Sequence, residues 1–412
     1  MPLNKVVITG VGAISPFGIG VKRLMASLNS GCSAVVNRKD EWQASLSDLT
    51  SWVAAPLRES LDSESIPRTV RRSMGRVAQL AYVACLEALA RAHIPPADCR
   101  SRRMGVSFAS TMGSTSSLEE FFAACFEKGR IEGLPANTFF RFMSHTCAAN
   151  LAHALNLPGR VHSPACACAS SLQAIGCAVE AIKGGYQEIM LCGGADELHV
   201  MVTACFDLVH AASSRFNDQP TRTPRPFDRD RDGIVCGEGA GALVLESERS
   251  ASERGAEILG EVIGYATTSD GSHIAQPHRD SIVECLRQAL DDAGVPADAI
   301  DYVNAHATGT LQGDREEAAA LKLVFGERGV PVSSFKGHLG HTLGASGALE
   351  LIACLCMQED GYVIPTLNLE IPGEGCEDLA HVMTRRRGSV RRFVKNNFAF
   401  GGVNAVLVVR TR

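Results

Sequence analysis

The chain has 412 residues, a formal net charge of −5, 45% hydrophobic residues and 21% charged ones. These proportions belong to a globular protein long enough for two domains or one duplicated unit. The mild acidity excludes the basic surplus of a nucleic-acid binder, and no apolar run approaches the ~18 residues of a membrane span.

Residues 1–5 run directly into Val6-Val7-Ile8-Thr9, too short and too β-branched a start for a secretory leader, so a cytoplasmic protein with reduced thiols is expected. The 15 cysteines, an odd number spread over a long chain, do not read as a disulfide framework, and no CxxC pair suggests a structural zinc site. Residues 6–8 predict a buried strand, followed by Gly10-Val11-Gly12. A dinucleotide fingerprint needs a third glycine, but position 15 is Ser15 and Pro16 delays any helix, so a tight strand-to-loop turn is expected there. Helical spacing covers 77–90, 170–183, 281–293 and 347–357. Short apolar runs at 104–108, 188–192, 240–246, 302–305 and 405–409 read as buried strands. This alternation predicts an α/β protein with a mostly buried sheet. A charged stretch at 247–258 divides the chain into expected halves of 1–250 and 251–412, with no internal repeat visible in the residues.

Four segments carry chemistry. In Ser163-Pro164-Ala165-Cys166-Ala167-Cys168-Ala169-Ser170-Ser171, small residues surround a cysteine just before an apolar helix. A thiol there faces unpaired N–H groups and the positive end of the helix dipole, which favours thiolate. The residues alone do not separate Cys168 from Cys166, and a cysteine in such a place is more often structural. Asn304-Ala305-His306-Ala307-Thr308-Gly309-Thr310 puts a histidine at a strand end, where α/β sheets hold ligands. Lys336-Gly337-His338-Leu339-Gly340-His341-Thr342-Leu343-Gly344-Ala345 places His341 near a helix N-terminus, which favours neutral imidazole. His338 and His341 lack the further ligands that a metal site requires, and solvated histidines are the plain alternative. Asn397-Phe398-Ala399-Phe400-Gly401-Gly402 suggests a turn with exposed backbone N–H groups, or a tight turn carrying core phenylalanines.

Taken in this order, the segments resemble the β-ketoacyl synthase family, most closely the chain-elongating synthases of bacterial type II fatty-acid and polyketide systems. The opening Val6–Gly12 run, Arg225-Pro226-Phe227-Asp228-Arg229-Asp230-Arg231-Asp232-Gly233 and Cys236-Gly237-Glu238-Gly239-Ala240-Gly241 are similar to family signatures, and the resemblance spans nearly the whole chain. It implies a thiolase-like α/β fold: two similar halves in a five-layered α-β-α-β-α arrangement. It also implies the nucleophile Cys168, with Cys166 standing where the family has a small or hydroxyl residue. His306 and His341 correspond to the catalytic histidines, Lys336 and Glu350 to a supporting pair, and Phe400 to a gating aromatic whose N–H joins that of Cys168 in an oxyanion hole. Thr308, Thr310 and Phe398 fall where the family contacts its phosphopantetheine-borne substrate, and Met112 where it limits acyl length. Arg71, Arg72 and Arg76 fall near the docking face for an acidic acyl carrier protein, although a solvated helix face would look the same.

The implied reaction is decarboxylative condensation of an acyl thioester with malonyl-carrier protein. No cofactor is implied beyond the phosphopantetheine of the partner, and no metal. A homodimer, or a heterodimer with a related subunit, is implied. Ala307 and Ala399 stand where glycine is common, and Gly337-His338 is unusual after the lysine, which leaves the substrate open. Three other readings compete. A thiolase or initiating synthase would lack the second histidine, and a non-catalytic chain-length-factor subunit would lack the cysteine. A metal hydrolase would bind zinc and lose activity to a chelator.

Overall fold

The computed structural model describes residues 4–133 and 136–412; Met1, Pro2 and Leu3, part of the leader reading above, lie outside that range. Eleven strands define the central path: β1 (Val6–Ser15), β2 (Gly105–Ala109), β3 (Val161–His162), β4 (Ile189–Asp196), β5 (Gly239–Ser247), β6 (Gly260–Ser269), β7 (Tyr302–Asn304), β8 (Pro331–Ser333), β9 (Ala380–His381), β10 (Arg392–Ala399) and β11 (Val403–Thr411). Their spatial order is β9-β8-β7-β10-β11-β6-β1-β5-β4-β2-β3. From β1 outward the pairings run antiparallel to β5, antiparallel to β4, parallel to β2 and parallel to β3. From β6 outward they run antiparallel to β11, antiparallel to β10, parallel to β7 and parallel to β8. The two successions are the same, in pairing sense and in chain order. The duplication that the residues hide is plain in the topology. The two half-sheets meet where Val6, Val7 and Ile8 pair with Val262, Glu261 and Gly260.

Six helices cover the half-sheets: α1 (Arg76–Arg91), α2 (Thr146–Ala154), α3 (Ser170–Lys183), α4 (Arg279–Ala293), α5 (Leu311–Phe325) and α6 (Ser346–Asp360). Leu80 of α1 and Leu151 of α2 pack with Val106, Leu191 and Val244 on one face of the first half. Leu286 of α4 and Leu321 of α5 pack with Val303, Val394 and Val408 on one face of the second. Leu172 of α3 and Leu349 of α6 share a core with Leu243 and Leu407, one from each half. The layers are therefore α1/α2, sheet, α3/α6, sheet, α4/α5, as expected. Helix α6 is buried around nearly its whole circumference, which suits a helix hydrophobic on all sides. A Cβ at Gly347 would lie 2.2 Å from Leu172 Cδ1, so α3 and α6 cross in direct contact near their N-termini.

Strand β1 is longer than its sequence predicts, running through Gly10-Val11-Gly12 to Ser15. Those glycines are not a turn. A Cβ at Gly10 would lie 2.1 Å from the Ala88 carbonyl oxygen, and one at Gly12 2.1 Å from that of Ala84. Their absent side chains let α1 lie backbone-close on the sheet. The charged stretch 247–258 links β5 to β6 through a short helix, Glu248–Glu253, whose first turn is capped by the Ser247 hydroxyl accepting from the Ser250 N–H. Among the described residues no helix is long and apolar enough to cross a membrane. Gly10→Ala or Gly12→Ala should cost about 1–3 kcal/mol or more by forcing α1 off the sheet, read as a lower denaturation midpoint.

Candidate active site

Cys168 sits in a 3₁₀ turn, Ala167–Ala169, that leads into α3. Ala167 holds a left-handed φ of 45°, a strained conformation for a residue with a Cβ. The turn is pinned from three sides. The Ala167 carbonyl accepts from Thr111 Oγ1 at 3.2 Å and Ser170 Oγ at 2.7 Å. Ser170 Oγ accepts the Cys166 N–H at 2.9 Å. Asn397 of β10 donates to the Cys168 carbonyl at 2.9 Å and to Ser346 Oγ at 2.9 Å. The two cysteines are thereby separated: Cys168 lines a cavity together with His306, whereas the Cys166 thiol faces Gln173 Oε1 at 3.1 Å.

His306 follows β7 and is placed by its backbone. Glu317 of α5 accepts the His306 and Ala307 N–H groups at 2.8 and 2.7 Å, and the Asn396 amide at 2.8 Å. His341 is fixed by an isolated bridge to Cys236, its N–H donating to the Val235 carbonyl at 2.7 Å. The two imidazoles meet edge to face with centroids 5.3 Å apart. A ring nitrogen of each and Cys168 Sγ all lie within 4.8 Å of one another. His306 and Cys168 are each 7% exposed at the cavity, while His341 is wholly buried behind them with neither ring nitrogen hydrogen-bonded. Cys and two His are also zinc ligands, and the spacing admits an ion. The other pair, His338 with His341, does not form such a set, because the His338 nitrogens contact the Cys32 and Pro365 carbonyls at 2.9 and 3.1 Å.

Behind the histidines lies a buried charge cluster. Lys336 Nζ donates to Glu350 Oε1 at 2.8 Å, and Lys395 Nζ stands 2.8 Å from Oε2. Asp196, at the end of β4, accepts from Ser110 Oγ at 2.6 Å, from the Thr111 N–H at 3.0 Å and from the Gly344 N–H at 2.7 Å, and so joins the first half to the loop after His341. The 225–233 signature is a brace. Arg225 pairs with Asp228 at 2.9 Å, and Arg231 donates to the Asp228, Thr310 and Leu311 carbonyls. Asp314 accepts the Phe227 and Gly309 N–H groups at 2.7 and 3.1 Å, fixing the Thr308–Thr310 loop from the other side.

The electrostatics differ in part from the sequence expectation. Burial pushes the Cys168 thiol up to about 12, outweighing the Lys336 charge that pulls it down. The expected resting thiolate is therefore corrected to a thiol: desolvation exceeds the local benefit of the helix end. Burial, then the Lys336 charge, hold His306 and His341 well below the usual imidazole range. The neutral form expected for His341 is present, but the cause is desolvation, since α6 begins five residues later than His341. Burial likewise raises Asp314 to about 6 and Glu317 to about 7, against the N–H groups that bond them.

Thr308, Thr310, Phe398 and Phe400 line the same cavity of about 320 Å³ as Cys168 and His306. Thr308 and Thr310 hydroxyls lie 3.2 Å apart. Phe398 packs edge-on to His306, and Phe400 lies at the mouth against Phe206, 5.9 Å between centroids. The Phe400 turn is held by Gly401 N–H donating to the Ile274 carbonyl and Asp270 N–H to that of Gly402. Met112 is 38% exposed and outside the cavity wall. The three arginines do not form one free patch. Arg76 makes a two-pronged pair with Glu238, both contacts at 2.9 Å, and Arg71 pairs with Glu64 at 2.6 Å. Arg72 is exposed. Sequence reasoning assigned no role to Lys395, Glu317, Asp196 or the Asn397 amide. The available signal was the run Lys395-Asn396-Asn397 next to apolar Phe393-Val394: polar residues in a strand that is buried throughout.

Comparison with known proteins follows the same lines. The family described as "Beta-ketoacyl synthase, N-terminal domain" matches residues 3–251, and "Beta-ketoacyl synthase, C-terminal domain" matches residues 259–370. The chain is 37% identical to the actinorhodin polyketide putative beta-ketoacyl synthase 1 of Streptomyces coelicolor, over 99% of this chain and 88% of that protein. It is 33% identical to the 3-oxoacyl-[acyl-carrier-protein] synthase 1 of Haemophilus influenzae, over 99% of each. Among solved structures, a beta-ketoacyl synthase from Burkholderia phymatum superposes with a TM-score of 0.95 at 40% identity, covering 99% of this chain and 100% of that one. The ishigamide ketosynthase/chain length factor superposes with a TM-score of 0.90 at 32% identity over 100% of each chain.

A buried thiol flanked by neutral imidazoles predicts that alkylation of Cys168 by iodoacetamide rises about tenfold per pH unit above neutrality. Peptide mass mapping checks this, and a plateau near neutral pH would mean a thiolate–imidazolium pair instead.

Proposed function

The chain belongs to the β-ketoacyl synthase family, and from that premise we propose how its residues carry out the family reaction. The chain is a 3-oxoacyl-[acyl-carrier-protein] synthase, joining an acyl thioester to a malonyl unit by decarboxylating Claisen condensation. The observation that carries the assignment of roles is the mutual approach, within 4.8 Å, of Cys168 Sγ and the two imidazoles, with Cys168 and His306 lining a cavity and His341 directly behind them.

In the first half-reaction an acyl thioester on a phosphopantetheine arm enters the cavity past Phe400. Cys168 gives its proton to a neutral imidazole as sulfur attacks the carbonyl carbon. The N–H groups of Cys168 and Phe400 stabilise the oxyanion, each worth about 3 kcal/mol in such sites. The pantetheine thiolate leaves and takes that proton, so the acyl group stays on Cys168 and the histidines return to neutrality. In the second half-reaction a malonyl thioester loses carbon dioxide. The electron pair of the broken C–C bond passes into an enolate, whose oxygen receives hydrogen bonds from His306 and His341. Neutral imidazoles suit this step, because they donate without first giving up charge. The enolate carbon attacks the acyl carbon, the C–S bond to Cys168 breaks, and the departing thiolate is reprotonated from solvent. Lys336 and Glu350 act from behind the histidines. Thr308 and Thr310, braced by the 225–233 segment, offer hydroxyls to the pantetheine arm, and Phe398 walls the acyl side.

No resident cofactor or metal enters these steps, since the pantetheine arrives with its carrier. The partner is an acyl carrier protein, docking through exposed Arg72 and neighbouring charge, with Arg76 excluded by its bond to Glu238. A second copy of the chain, or a related subunit, is expected to complete the assembly and bring Met112 to the acyl end. A chain-length-factor role is disfavoured by the presence of the complete Cys168, His306 and His341 set. Substrates in fatty-acid and polyketide synthesis both suit the chemistry.

Intact-protein mass spectrometry after incubation with acyl-carrier thioesters tests the roles. Cys168→Ala should abolish acylation and condensation, while Cys166→Ala largely spares both; the reverse result overturns the assignment. His306→Ala and His341→Ala should each lower malonyl decarboxylation by about 100-fold or more, and undiminished decarboxylation in both would remove them from the enolate step.

A further inference from the structure

We propose that Lys395 is a positioning residue for this condensation: paired with Glu350 alongside Lys336, it fixes that carboxylate and sets a second positive charge behind His306 and His341. The inference rests on the roles given above to the two histidines.

The geometry is specific. Lys395 enters from β10 and is 0% exposed. Its Nζ donates to the neighbouring Asn396 carbonyl at 2.6 Å and lies 2.8 Å from Glu350 Oε2, an oxygen that receives no hydrogen bond. Lys336 hydrogen-bonds the other oxygen at 2.8 Å. One carboxylate is thus bracketed by two ammonium groups, the first as a hydrogen bond and the second as a charge contact. The carboxylate cannot rotate without losing one of them.

The charge count makes the arrangement functional. Around Lys395 lie Glu350 and Cys354 from α6, Lys336 from the short helix Lys336–Leu339, and Glu317 of α5, reached through the Asn396 amide. Lys336 and Lys395 share the Glu350 carboxylate, and the nearby Glu317 carboxyl is raised to about 7 by burial, against the N–H groups and the Lys395 charge that pull it down. Two buried ammonium groups on one carboxylate are costly to desolvate: burial acts to lower the Lys395 pKa, and the Glu350 charge opposes it and favours the charged form. Both histidines feel it: the Lys395 charge acts on each in the direction that keeps it unprotonated. The same charge favours negative charge as it develops at the enolate oxygen.

The test uses the full chain with Lys395→Met, close in shape and uncharged. Removing a positive charge makes the imidazoles easier to protonate, so the acid limb of the decarboxylation profile must move to higher pH. The expected result is a kcat lowered roughly 10- to 100-fold, a malonyl-thioester KM within about 3-fold of the parent, and an acid limb raised by about one pH unit. A smaller fall in kcat, or a limb that stays in place, overturns the proposal, the second because a purely structural role would leave the limb where it is. If Lys395→Met does not fold, Lys395→Arg decides: it keeps the charge and must keep the parental limb, and a raised limb overturns the proposal. Acylation of Cys168, measured by mass in the same proteins, should be retained. Failure of the parent chain to acylate Cys168 would instead remove the underlying mechanism, whatever Lys395 does.

Discussion

The contact on which the structure depends is the crossing of α3 and α6, where the missing side chain of Gly347 admits Leu172. It brings two helix N-termini, one from each half of a duplicated fold, to a single point between two half-sheets. The first supplies Cys168 in the turn before α3. The second supplies Glu350 on α6 and, just upstream, the loop of His341. Burying such a junction is favourable for its apolar residues and costly for its polar ones, and the surrounding hydrogen bonds follow from that cost. Asp196 and Glu317 each satisfy two or more buried donors, Asn397 donates to two buried acceptors, and each ties an element of one half or one loop to another.

The same burial determines the chemistry. It holds the thiol and both imidazoles uncharged at rest, so reactivity does not come from a stored ion pair. It comes from neutral groups in contact, with fixed charges standing one layer behind them. Desolvation is thus both the cost of the site and the source of its strength, because fields from Lys336 and Lys395 are little screened there.

Much of this was legible in the residues. The strands at 104–108 and 240–246 and the helices at 170–183 and 281–293 show uninterrupted or periodic apolar patterns, and they occur nearly as written. Cys168, His306 and His341 were legible only as a set, through the resemblance of their flanking segments to one family. What was hidden has physical reasons. The duplication is conserved in pairing order but not in residues. Gly10 and Gly12 look like a turn because spacing cannot show that a helix backbone lies 2.1 Å from an added Cβ. Strand β10 was missed because its Lys395-Asn396-Asn397 run is polar for the sake of the site, which breaks the strand pattern that would have announced it. The resting state of Cys168 was misjudged because a helix end is visible in sequence, whereas the depth at which it is buried is not.

Strand β10 also has a temporal consequence. It supplies Lys395, Asn397 and Phe398, and the turn that follows it supplies Phe400. During synthesis on the ribosome the half that carries Cys168 emerges first, and its thiol waits without the Asn397 amide that bonds its carbonyl, the Lys395 charge or the aromatic at the cavity mouth. Completion of the site therefore falls at the final stage of chain growth, when the segment from residue 392 adds β10 and β11 between β7 and β6. A chain interrupted before residue 392 carries Cys168, His306 and His341 but lacks the Asn397 amide, Lys395 and the Phe398 and Phe400 rings that complete their surroundings.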